Sequence, residues 1–388
     1  MRMRDGFRIA DADRHVVEPI EMWREHLPPE LRQHAPYHAA IAAAEPLSAR
    51  VARLGGRALL PPPPFPMLAG RPLYNKMSED AWLELASSAH ARARQFDRLE
   101  TPEAHLREMD REGIDVAALF PTYALLILGR DDLAPDLALA FARAYNQWLR
   151  GFCAADPARL RGVALACLHA PDRMAEELSA TGPLGTAAVV LRPNPVGGRR
   201  LSHPAYADFW AECERRAIGV VLHEGTHSYL PAAGADRFDS RFALHACSHP
   251  MEQMMALLDL IEGGVLERHP GLRVAFLEAG CGWLPYWLWR LDEEHAHLAG
   301  EVKGRVRMAP SAYFRRQCLV AAEPDEPLLA QAIRYLGEDR VLFGTDFPHV
   351  DHDEGQVARA LALRGQVPDA ALRRMLWDNA AGFFGLGA

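Results

Sequence analysis

Asp13 and His15 close the run Phe7-Arg8-Ile9-Ala10-Asp11-Ala12-Asp13-Arg14-His15, which begins like a β-strand. Alternate side chains of a strand share a face, so Asp11, Asp13 and His15 point the same way, the last two nearest the carboxyl end. A carboxylate and an imidazole at that spacing can grip a divalent metal ion. Two later apolar runs end on residues of the same kind. Gly219-Val220-Val221-Leu222 leads into His223, and Arg340-Val341-Leu342-Phe343-Gly344-Thr345 into Asp346. Two imidazole nitrogens and two carboxylate oxygens form a donor set suited to one zinc or manganese ion. Its chemistry is the polarisation of a substrate oxygen and the activation of bound water.

Such ligands need a scaffold that brings several strand ends to one edge. Short apolar runs at 114–120, 162–168, 186–191, 219–222, 272–277, 317–322 and 341–343 follow the first strand and alternate with amphipathic segments that read as helices. Thr101-Pro102-Glu103 opens one of these with an N-cap, a proline at the first helical position and an acid in the first turn, and Gly113 ends it. The expected fold is an α/β (β/α)8 barrel, distorted, forming a single domain over residues 1–388. A doubly wound open sheet is the alternative. It explains less well why ligands fall on the first, fifth and eighth strands, since only a closed ring makes the first and eighth neighbours. Residues 24–100 exceed what a barrel needs between its first strand and helix and are expected to form an inserted cap or arm, with Pro61-Pro62-Pro63-Pro64 and a helix around Asp80 to Leu99. The insertion would suit a homodimer contact.

Other strand ends supply further candidates. Glu278 follows Leu272–Leu277 and reads either as a solvated strand end pairing with Arg290 or as a general base or acid beside metal-bound water. His249 precedes Pro250, which suits the first position of a helix; His249 would then cap it and reach the pocket as a proton shuttle or substrate ligand, with Glu252 returning to the cap. Arg192 follows the fourth strand and is either a surface arginine or a bidentate partner for a substrate carboxylate. Trp283 follows the sixth strand and either packs or lines an aromatic-sized pocket, as do Tyr123 and Phe347. His227 and His349 stand close to ligands in sequence and could support them, and Asp11 reads as buried support.

Composition removes several classes. A formal charge of −8 argues against a nucleic-acid partner, and no apolar stretch is long enough to span a membrane. Lys76 and Lys303 are the only lysines, and neither lies in an apolar strand, which disfavours Schiff-base chemistry and a lysine-bridged metal pair. The six cysteines are scattered without a Cys-x-x-Cys pair and are expected to be buried thiols; with no recognisable leader at the N-terminus, a cytoplasmic location is expected.

Asp-Ala-Asp-Arg-His-Val-Val-Glu-Pro at 11–19, Leu222-His223, Gly-Thr-Asp-Phe-Pro-His at 344–349 and the stretch Gly263–Arg273 together resemble the amidohydrolase-related family that includes aminocarboxymuconate-semialdehyde decarboxylase and γ-resorcylate decarboxylase. The resemblance covers Ile9 to about Phe384 apart from the insertion, and implies a distorted barrel with one catalytic divalent metal on Asp13, His15, His223 and Asp346. Those decarboxylases carry a histidine at the end of the sixth strand and a glutamate three residues on; here the matching places hold Glu278 and Cys281. With that pair missing, a carboxylate beside metal-bound water points to hydrolysis of a small carbonyl- or carboxylate-bearing substrate. Nonoxidative decarboxylation of an aromatic or unsaturated acid is the alternative.

Overall fold

The computed structural model describes residues 5–40, 49, 65–86, 101–225, 227–349 and 354–387. Its strands are β1 (Ala10–Val16), β2 (Tyr37–Ala39), β3 (Phe65–Leu68), β4 (Arg71–Pro72), β5 (Val116–Pro121), β6 (Leu160–Gly162), β7 (Ala164–Leu165), β8 (Ala188–Leu191), β9 (Gly219–His223), β10 (Val274–Leu277), β11 (Cys318–Ala322) and β12 (Val341–Phe343). Parallel ladders run β1-β5-β6 and β7-β8-β9-β10-β11-β12. With β6 and β7 as two halves of the third, these are eight parallel strands in a nearly closed barrel. The strands are buried throughout, as expected where helices cover the outside and side chains fill the inside.

The ring is distorted at two places. The third strand breaks at Val163, whose N–H donates to Leu119 O (3.0 Å), while Ala166 N–H turns to Val190 O (2.9 Å). The other seam joins β12 to β1 through the segment after Phe343: Asp346 N–H donates to Asp13 O (2.8 Å), and His15 N–H to Phe347 O (2.7 Å). Gly344 permits this approach, because a Cβ there would lie 2.6 Å from Asp13 Cβ. Closure thus brings the first and last segments that carry candidate ligands into contact.

Helix termini follow local chemistry. Thr101 Oγ1 accepts from Ala104 N–H at the start of Pro102–Glu112, and Gly113 (φ 82°) ends it in the left-handed region. One helix departs from expectation. Instead of beginning at Pro250, it runs from Arg241 to Glu262, started by Ser240, whose Oγ accepts from Ala243 N–H (3.3 Å). Pro250 lies inside it, and His249 is therefore a mid-helix residue rather than a cap. Glu252 instead accepts from Ala233 N–H (2.5 Å) and holds the preceding loop.

Within the insertion, β2, β3 and β4 form an antiparallel sheet, followed by the helix Glu79–Ala86. The rest of the expected Asp80–Leu99 helix and Pro61–Pro64 lie outside the described residues. The described part packs against the loop after β9. His227 donates from its ring to Asn75 O (2.6 Å), Tyr229 Oη donates to Pro72 O (2.9 Å), and Lys76 Nζ donates to Ala235 O and Phe238 O. No helix among the described residues is long and apolar enough to cross a membrane, and all six cysteines are free thiols, five of them buried.

Candidate active site

The carboxyl ends of β1, β9, β10 and β12 converge on one cluster. Asp13 and His15 come from β1 and His223 from the last position of β9; Asp346 follows β12 and Glu278 follows β10. Asp346 (φ 51°) and Glu278 (φ 56°) both adopt the left-handed backbone region, which costs a non-glycine residue about 1–2 kcal/mol. Strain of this kind persists where the surroundings require a side chain to be aimed.

His15 Nε2 and His223 Nε2 stand 2.9 Å apart, with Asp13 Oδ1 3.6 and 3.3 Å from them and Asp346 Oδ1 3.5 Å from His15. Both imidazoles have their outer nitrogen against a carbonyl: His15 Nδ1 at Pro121 O (2.9 Å) and His223 Nδ1 at Glu224 O (2.8 Å). A carbonyl can only accept, so each Nδ1 carries hydrogen and two Nε2 lone pairs face each other. Only a cation between them resolves that contact, whether a proton or a metal ion. Donor atoms around an ion bound at about 2.0–2.1 Å lie roughly 3–3.5 Å apart, the spacing seen here. Asp13, His15 and His223 form one group able to hold a divalent metal ion, and His15, Asp346 and His349 form another that shares His15.

Electrostatics agree. Burial works against charge on His223, but Glu278 and Asp13 beside it raise its pKa to about 9. Asp13 is likewise opposed by burial yet held below the usual carboxylate range by His223 and His15. Burial and the neighbouring His349 charge lower His15 to about 4. The field that holds a proton on His223 is the field a divalent cation would satisfy, so metal binding there releases a proton.

A second set of groups lies beside the first. Glu278 Oε1 is 3.4 Å from His249 Nε2 and 3.7 Å from His349 Nδ1, and its Oε2 is 3.2 Å from His223 Nδ1. His349 Nδ1 also meets Asp346 Oδ1 at 2.7 Å, and its other nitrogen meets Thr122 Oγ1 at 3.1 Å. Ser248 Oγ, 3.2 Å from His249 Nδ1, orients that ring. Burial would raise Glu278, but His249 and His223 keep it well below its ordinary value. His249 is lowered by burial, only partly offset by Glu278, while Asp346 and Glu278 overcome burial to raise His349 well above its usual value. A cleft of about 370 Å³ opens over this set, lined by His245, Ala246, His249, Pro250, Glu278, Ala279, Gly280, Glu323 and Asp346.

The remaining candidates sit elsewhere. Arg192 is buried and engaged: it donates to Glu224 Oε1 (2.7 Å), Gly225 O (2.7 Å), Leu125 O (3.3 Å) and Asn194 Oδ1 (3.2 Å). Trp283 is buried and is not among the residues lining the cleft, its indole N–H donating to Gly280 O (2.8 Å) and its ring edge-on to Phe276. Arg290 pairs with Glu294 rather than with Glu278. Asp11 supports β1 from within, accepting from Thr345 Oγ1 (2.6 Å) and Thr345 N–H (3.1 Å). Sequence reasoning passed over Thr122, Ser248 and Glu323. Thr122 and Glu323 each directly follow a strand, the signal that found Glu278, whereas Ser248 had none.

The amidohydrolase family profile matches residues 11–386. The chain belongs to the amidohydrolase family. Among curated relatives, 2-amino-3-carboxymuconate-6-semialdehyde decarboxylase of Dictyostelium discoideum is 24% identical over 74% of this chain and 77% of its own length. Gamma-resorcylate decarboxylase of Rhodococcus jostii is 28% identical over 64% of this chain and 78% of its own. A crystal structure of 5-carboxyvanillate decarboxylase from Novosphingobium aromaticivorans, complexed with manganese and 4-hydroxy-3-methoxy-5-nitrobenzoic acid, superposes with a TM-score of 0.70 at 19% identity, covering 98% of this chain and 96% of that one. These relatives overturn the expectation of hydrolysis, since each is a decarboxylase. That expectation treated Glu278 as a lone carboxylate beside water. In the folded chain Glu278 has imidazole partners from a helix and a loop that sequence order does not place next to it.

Proposed function

We propose that this protein catalyses the nonoxidative decarboxylation of a small aromatic or unsaturated carboxylic acid, with one divalent ion held by Asp13, His15, His223 and Asp346. The observation that carries this reading is the Glu278–His249 contact beside the donor set. The carboxylate–imidazole pair missing from the segment 278–281 is recovered in space from two elements. The named relatives support the reaction class, and the manganese complex favours manganese over zinc.

The reaction breaks the bond between the ring carbon and the carboxyl carbon, releases carbon dioxide and places a proton on the ring carbon. When bound, the ion supplies positive charge that fixes the substrate's oxygens at the β1–β12 edge. The chain's own task is to hold a proton against a dry pocket and deliver it to carbon. His249 and Glu278 share that role, with the Ser248 hydroxyl orienting the ring. Glu323 and His245 line the cleft and bound the substrate's far side. A volume of about 370 Å³ accommodates one substituted ring.

The test is product analysis in D₂O with a panel of hydroxylated and aminated benzoic acids. The expected result is carbon dioxide release with one deuterium at the carbon that lost its carboxylate. Release of an alcohol, amine or second acid with consumption of water would reject the assignment.

A further inference from the structure

A second cavity, of about 20 Å³, lies between the helix Arg241–Glu262, the loop after β9 and the insertion, and shares no lining residue with the cleft. Glu224, His227 and Ser248 line it and are 0%, 7% and 5% exposed. Two of their atoms, Glu224 Oε2 and His227 Nε2, are buried and have no hydrogen-bond partner among the described residues. Both are acceptors. His227 Nδ1 donates to Asn75 O (2.6 Å), and burial lowers the ring's pKa to about 4, so the neutral ring has its lone pair on Nε2. Glu224 accepts from Arg192 on Oε1 (2.7 Å), which leaves Oε2 as a second acceptor.

A buried acceptor without a donor is costly, and a water molecule is the smallest group that brings two hydrogens to two acceptors. A water needs roughly 10–15 Å³ and two to four polar partners, which this cavity offers. The remaining partner is the Ser248 hydroxyl, whose oxygen is 3.2 Å from His249 Nδ1. A hydroxyl has one hydrogen, so its direction decides which neighbour must donate to it.

We infer that this cavity holds one water molecule that donates to Glu224 Oε2 and His227 Nε2, accepts from the Ser248 hydroxyl, and so keeps a hydrogen on His249 Nδ1. With both of its hydrogens spent, the water can only accept, and the Ser248 hydrogen turns toward it. The Ser248 oxygen then faces His249 Nδ1 with a lone pair, and Nδ1 must be the donor. His249 is left to exchange its dissociable proton at Nε2, the nitrogen 3.4 Å from Glu278 Oε1. A ring fixed in this way gives up and regains its proton at one nitrogen, with no flip between turnovers. His227 and Glu224 are thus positioning residues that act on His249 through the water and Ser248. The use of that proton rests on the decarboxylase reading; the hydrogen on Nδ1 does not.

The experiment is nitrogen-15 NMR of the full chain, labelled in its histidine rings and loaded with zinc, which is diamagnetic, with no substrate present. The His249 signals are those lost in His249→Gln. At about pH 8, where an imidazole of ordinary or lowered pKa is neutral, the wild type is expected to show a protonated Nδ1 on His249. Ser248→Ala and His227→Leu should each leave Nδ1 bare, with the ring's hydrogen on Nε2 toward Glu278. His227 makes no hydrogen bond to His249, so a purely structural role for it would leave Nδ1 unchanged in the folded variant. Should His227→Leu fail to fold, the wild type and Ser248→Ala still decide. A bare Nδ1 in the wild type, which a metal cation in the cavity would produce by turning the Ser248 hydrogen toward His249, overturns the proposal. So does a protonated Nδ1 that persists in either folded variant. A protonated Nδ1 in a chain that releases no carbon dioxide would instead reject the reaction class and leave the water site standing.

Discussion

Two carboxylates at neighbouring strand ends, the buried Glu224 and the half-buried Glu278, have opposite fates. Glu224 follows β9 and meets Arg192 at 2.7 Å in a pair closed off from the cleft. All of that guanidinium's contacts are internal, and burial raises the pKa of Glu224 to about 7 despite the arginine beside it. Glu278 follows β10, reaches three imidazoles and lines the cleft. A guanidinium whose donors are spent on local acceptors braces the loop that follows His223. Imidazoles are different, because they can gain or lose a proton near neutral pH. Occupying a strand end is therefore not enough to make a group reactive; its partners decide.

The sharpest way to break that contrast is to remove one member of the proposed Glu278–His249 pair. Glu278→Gln and His249→Gln should each lower kcat by about 10²–10⁴ while metal content, read by elemental analysis, stays near one ion per chain. The double variant should be little worse than either single one, because the two act as a unit. Additive losses would place them in separate roles.

Arg192→Met tests the other side. It leaves Glu224 buried and unpaired, and should cost about 3–5 kcal/mol by denaturant unfolding with little change in KM for the folded fraction. Arg192→Met with Glu224→Met should recover much of that stability. A raised KM with unchanged stability would instead return Arg192 to substrate binding.

A pH experiment sharpens the comparison through another buried carboxylate. Glu18 accepts from Tyr123 N–H (2.8 Å), Ala124 N–H (3.0 Å) and Thr122 N–H (3.3 Å), yet burial still raises its pKa from 4.5 to about 7. In that interval the unfolded chain gives up this proton before the folded one does, so stability falls as pH rises from about 4.5 to 7. Glu18→Gln should flatten the dependence of unfolding free energy on pH over that window, whatever it does to stability overall. The smallest effect belongs to Trp283→Phe. Losing the bond to Gly280 O should cost about 1 kcal/mol and leave KM unchanged; a KM change would show that the indole reaches the substrate.

The barrel was legible because its signals are local. Apolar strand runs separated by amphipathic segments survive in the order of residues, and so do Thr101 as a cap and Gly113 as a stop. The helix carrying His249 was misread for a reason equally local. Pro250 resembles a helix start, and only the Ser240 cap and the packing of the helix reveal that it is interior. Asp13, His15, His223 and Asp346 could be nominated as candidate ligands from position alone, because in a parallel barrel strand ends share an edge.

Fold class was readable from the order of residues, and candidate donors could be nominated there, since strand period and strand-end position are properties of short segments. That order could not determine the partners of Glu278 and Arg192. Those partners come from a helix, a loop and a neighbouring strand brought near only by closure of the ring. Whether a buried charge is spent or available depends on distances of about 3 Å between such segments. Tertiary structure alone sets these distances, and with them it decided that Arg192 braces a loop while Glu278 meets His249.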